Sequence, residues 1–133
     1  MTGDELLYLE LEDVVRIHAR IFAVDDGAAR RPLRDPGALG SALARPLHHA
    51  AYQDADMATQ AAILAHGIAQ SQSFIDGNKR TALIAMATFL GLNGWVLRVT
   101  DDDLAAHVIA FAAGADPDDL AAAAVRGSLA RLD

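Results

Sequence analysis

Residues 71–94, SQSFIDGNKRTALIAMATFLGLNG, run from a polar loop into a long apolar segment and stop at Asn-Gly. From Asn78 to about Leu92 polar side chains are scarce, and Leu83, Ile84, Met86, Ala87 and Leu90 spread over more than one face of a helix. An apolar surface that wide marks a helix enclosed by its neighbours. Asn93-Gly94 is a pair suited to left-handed backbone and supplies the stop. The stretch predicts an all-α protein packed around a buried central helix at about 78–92.

The flanking sequence keeps the helical period. Residues 9–24 place Val14, Ile17, His18, Ile21 and Phe22 on one face, with His18 read as a satisfied core or boundary histidine. Residues 25–34 are turn-rich and charged. Asp35-Pro36 reads as a cap followed by proline at the first helical position, opening a helix to about Arg45 that Pro46 ends. After a loop at 47–56, a helix from about Met57 to Ala69 turns Ile63, Leu64 and Ile68 inward. His48 and His49 are adjacent and would point about 100° apart on a helix, which suits no shared metal. Trp95 to Val99 alternates like a short extended segment. Thr100 with Asp101, Asp102 and Asp103 caps a further helix to about Ala113, with His107 outward, and Asp116-Pro117 opens a last one to about Leu132. The expectation is a compact bundle of about six or seven helices, forming a single domain over residues 1–133.

Composition narrows the function. A net charge of −7 argues against general nucleic-acid binding, which needs clustered cations. The chain contains no cysteine, removing disulfides, thiolate metal sites and cysteine nucleophiles. No apolar run of about 18 residues predicts a membrane span. The acidic start, MTGDELLYLELED, does not read as a signal peptide, so a cytoplasmic protein is expected. Ten of the eleven basic residues are arginine, and the single lysine is Lys79, between Asn78 and Arg80.

That position carries the chemistry. The first amides of the helix starting near Gly77 to Lys79 lack intrahelical acceptors and carry the positive end of its dipole. Gly77 permits a sharp turn and the close approach of an anion. Asn78, Lys79 and Arg80 add donors, so the stretch reads as a phosphate cradle. Asp76 would repel a bare phosphate but suits a Mg²⁺ ion bridging carboxylate and phosphate oxygens. A Walker A loop is absent. The plainer alternative is a helix capped by Asp76 with solvated cations.

Phe74-Ile75-Asp76-Gly77-Asn78-Lys79-Arg80-Thr81-Ala82 resembles the signature of the Fic/Doc superfamily. With lysine after the asparagine it is similar to the Doc (death-on-curing) toxin branch, H-x-F-x-D-[GA]-N-K-R, whereas the AMP-transferring Fic branch has glycine there. Arg34-Asp35-Pro36-Gly37, Ser41 to Pro46, and the Phe89-Leu90 to Asn93-Gly94 ending add to the likeness. The resemblance implies a Fic/Doc-type bundle and a protein kinase that moves the γ-phosphate of ATP onto a threonine of elongation factor Tu, arresting translation. It also implies a Phd-like antitoxin as partner. By the same resemblance Asp76 holds Mg²⁺, Gly77, Asn78, Lys79 and Arg80 hold phosphates, and Phe74 anchors the loop.

The family's catalytic histidine, the base for the target hydroxyl, is absent: its position holds Gln72. Glutamine accepts a hydrogen bond but no proton near neutral pH. General-base assistance is typically about 10²- to 10⁴-fold, so impaired activity is expected. A loose phosphoryl-transfer transition state asks less of a base, which leaves room for residual activity. His66, six residues upstream, is not expected to move into the vacancy. Gln72 is compatible with a deliberate inactivating substitution, with a natural loss that leaves a nucleotide- or antitoxin-binding module, and with altered chemistry such as transfer of AMP.

Overall fold

The computed structural model describes residues 6–98, 102–103, 125–127 and 129–132. In chain order these form α1 (Leu11–Ile21), a 3-10 turn (Asp26–Ala28), α2 (Pro36–Gln53), α3 (Met57–Ser71), α4 (Asn78–Leu92), β1 (Trp95–Leu97) and β2 (Leu129–Arg131). The fold is a helical bundle with one small antiparallel ribbon, in which Trp95 pairs with Arg131 and Leu97 with Leu129. Of the expected helix from Thr100 to Ala113 only Asp102 and Asp103 are described, both helical; the rest of it, with His107, and most of that from Asp116 lie outside the described residues.

α1, α2 and α3 each start on an identifiable side-chain cap. Asp13 accepts the Glu10 N–H at 2.8 Å to open α1, Asp35 accepts the Ala38 N–H at 3.0 Å to open α2, and Asp56 accepts the Thr59 N–H at 2.9 Å to open α3. These bonds satisfy donors that a helix start otherwise leaves without partners.

α3 lies between α2 and α4 and is the most enclosed helix, with Ile63, Leu64 and Ile68 buried among alanines. Small side chains permit this close approach. A Cβ on Gly67 would stand 3.1 Å from the Ala42 Cβ on α2. α4 begins and ends where expected and packs on α1, α3 and β1, burying Ala82, Ala85, Met86, Phe89 and Leu90 while Ile84 and Leu92 reach solvent.

Two local expectations are corrected. Pro46 does not end α2, which continues through His48 and His49 to Gln53. A proline inside a helix removes one hydrogen bond, and here the burial of Leu39, Ala42, Leu43 and Pro46 holds the helix together across it. The stop comes at Asp54, in left-handed backbone at φ 53°. Residues 129–131, expected at the end of a helix, are instead a strand, because Trp95 to Leu97 offers them a ladder. Periodicity within the segment carries no trace of that distant partner.

Candidate active site

The loop between α3 and α4 is held by the backbone on both sides. Its left-handed start is Gln72, at φ 51°. Arg34 donates from Nε to the Gln72 carbonyl at 3.1 Å, and the amides of Arg34 and Asp35 both donate to the Ser73 carbonyl, at 2.9 and 3.2 Å. The Ile75 N–H donates to the Pro32 carbonyl at 3.0 Å, and Leu33 bridges to Phe74. The segment just before α2 is thus a rail for the loop, a role its charged, turn-rich sequence does not announce.

Phe74 is fully buried. Asn78 departs from expectation. Its carboxamide closes a ring with the Phe74 backbone, Oδ1 accepting the Phe74 N–H at 3.0 Å and Nδ2 donating to the Phe74 carbonyl at 2.9 Å. Only 7 % exposed, it clamps the loop and does not stand open as a phosphate donor. Buried amide and carbonyl groups demand partners, and the Asn78 carboxamide supplies one acceptor and one donor to satisfy both.

Gly77 then caps α4 in left-handed backbone at φ 79°, with no side chain to occupy the first-turn amides. Thr81 N–H makes the first intrahelical bond, to the Gly77 carbonyl at 2.9 Å. A Cβ at Gly77 would fall 2.6 Å from Phe22 Cε2 and 2.8 Å from Phe22 Cζ. Glycine is required there by both the backbone angle and the neighbouring ring. Asp76 is exposed, and its Oδ1 accepts the Gly77 N–H at 2.8 Å, so part of the plain capping alternative is present. Lys79 and Arg80 are exposed beside it. Gln72, Ile75, Asp76, Gly77, Lys79 and Arg80 line an open cleft of about 500 Å³ walled by Ile21 and Phe22 of the α1 end.

Two residues of this site were read as core from the sequence. Phe22 is 44 % exposed at the cleft wall. His18 is buried, its ring stacked on Phe74 with centroids 4.0 Å apart and its Nε2 2.7 Å from the Asp76 carbonyl oxygen. Helical spacing put both on the inward face of α1; only the fold shows that this face meets the motif loop.

The donor set fits a magnesium ion carried with phosphates. Among the described residues no three metal-ligating side chains gather, and Mg²⁺ bound with nucleotide needs only one or two carboxylates besides phosphate oxygens. Asp76, exposed in the cleft lining beside Lys79 and Arg80, is the carboxylate that would hold such an ion.

Fold and site define a helical domain whose signature loop feeds an uncapped helix N-terminus flanked by cations. The chain belongs to the Fic/DOC family, whose model matches residues 8–90, from ahead of α1 through nearly all of α4. It is similar to Toxin Doc of Mycolicibacterium smegmatis, 37% identical over 89 residues that make up 65% of each chain. The match therefore spans just under two thirds of that relative's length.

Proposed function

We propose that this chain is a Doc-type toxin of a toxin–antitoxin pair, a Mg-ATP-dependent kinase toward elongation factor Tu that is disarmed at its base. The observation that carries the reading is the juxtaposition of an open, cation-flanked α4 N-terminus with Gln72 in the lining of one cleft. Lys79, Arg80 and the first-turn amides hold phosphate oxygens, and Asp76 would hold the metal. Magnesium, when bound, neutralises phosphate charge and steadies the transferring group. Gln72 donates from Nε2 to the Ala69 carbonyl at 3.1 Å, which leaves its Oε1 to accept a hydroxyl hydrogen bond. It orients the target hydroxyl but does not take its proton. A Phd-like antitoxin that folds on contact is the partner this reading carries.

Purified protein, as it stands and with Gln72→His, is incubated with Mg-ATP and elongation factor Tu, and the target is weighed by mass spectrometry. A phosphate-sized gain about 10²- to 10⁴-fold faster with Gln72→His is expected. Equal rates would show that position 72 carries no base function. No gain with either variant, while Mg-ATP still binds by calorimetry, would favour the second reading, a nucleotide-binding module without transfer activity.

A further inference from the structure

α1 lies 58 residues from the loop in sequence, yet it touches the backbone there through one side chain. His18 Nε2 stands 2.7 Å from the Asp76 carbonyl oxygen, which only accepts, so the imidazole carries its hydrogen on Nε2 and donates. The same Asp76–Gly77 peptide offers its N–H to Asp76 Oδ1 at 2.8 Å. Its plane is therefore held from both ends, by the ring on one side and by the carboxylate on the other. That plane sets the Gly77 φ of 79°, the entry into α4 and the direction of the Asp76 side chain. The imidazole is itself fixed, stacked at 4.0 Å and 6° on Phe74 and set 4.8 Å from Phe22.

We propose that His18 is a positioning residue for the phosphate and metal site: by donating to the Asp76 carbonyl it presents the Asp76 carboxylate and the first α4 amides in one arrangement. The inference rests on the Mg-ATP reading of the cleft given above. A core role alone would ask only for a flat ring against Phe74, which phenylalanine supplies. The donor at Nε2 is what phenylalanine lacks, and a glutamine side chain places an N–H close to the same point.

The test compares the full chain with its His18→Phe and His18→Gln variants. Mg-ATP affinity is measured by calorimetry, and the backbone amide signal of Gly77 by ¹⁵N-resolved NMR. Expected is a loss of about 3- to 10-fold in affinity for His18→Phe, the factor of one lost hydrogen bond. His18→Gln should recover most of it, and the Gly77 signal should move in the phenylalanine variant and lie near its original place in the glutamine variant. Equal affinity in all three, or equal loss in both variants whatever the donor, overturns the proposal. If the unaltered chain does not bind Mg-ATP, the functional reading of the cleft fails instead. The Gly77 signal then decides the anchor alone, and a signal unmoved by His18→Phe overturns it.

Discussion

At the scale of single residues, the site depends on one glycine and one asparagine more than on its charges. Gly77→Ala meets two penalties, a left-handed φ of 79° and a Cβ 2.6 Å from Phe22 Cε2. The backbone term is roughly 1–2 kcal/mol and the steric term of similar size. Urea unfolding should show a loss of about 2–4 kcal/mol, partly recovered when Phe22→Ala is added, since the added methyl then has room. Asn78→Ala leaves a buried amide and a buried carbonyl of Phe74 without partners. Each such group costs about 1–3 kcal/mol, so the variant should unfold at markedly lower urea even with every phosphate-facing cation intact. A near-normal midpoint would show that Asn78 is not the clamp the geometry makes it.

Among the elements, the start of α3 has a pH-sensitive fastening. Asp56 caps the helix and accepts from Arg126 Nε at 2.8 Å and Nη2 at 3.2 Å. The guanidinium hydrogen bonds, with smaller help from Thr59, lower its carboxyl from 3.8 to about 2. A carboxyl lowered by folding contributes stability that is complete above its unfolded value and is lost as pH falls through the folded one. The stability of this chain should therefore slope downward between about pH 4 and pH 2 through Asp56, and Asp56→Asn should flatten that part of the profile. The slope will be shallow, because the pair is half exposed and surface ion pairs contribute little. Asp56→Ala should cost a further ~1 kcal/mol at neutral pH through loss of the cap, read from the urea midpoint.

Over the whole molecule, a ligand that binds only the folded chain raises its stability by mass action, about 2.7 kcal/mol at a hundred times Kd. Mg-ATP should lift the melting temperature of the unaltered protein by several degrees. Lys79→Ala and Asp76→Ala should melt near the same temperature without ligand and lose most of that rise. Equal rises in all three would remove both residues from the site. No helix among the described residues is long and apolar enough to cross a membrane. The all-α class, the α4 limits at Asn78 and Leu92, the cap at Asp35 and the Fic/Doc signature at Phe74 to Ala82 were all legible in the chain. These are local properties: the 3.6-residue period, capping chemistry and a contiguous motif act between near neighbours. Only the tertiary structure decided that Pro46 lies inside a helix, that Leu129–Arg131 pairs with Trp95–Leu97, that Asn78 is committed to Phe74, that His18 bonds the Asp76 carbonyl and that Phe22 walls the cleft. All but one of those outcomes depend on a partner far along the chain or on packing that outweighs a local preference. The Asn78 clamp, four residues from its partner, depends on the conformation of the loop between them. Neither kind leaves a mark on the residues read one segment at a time.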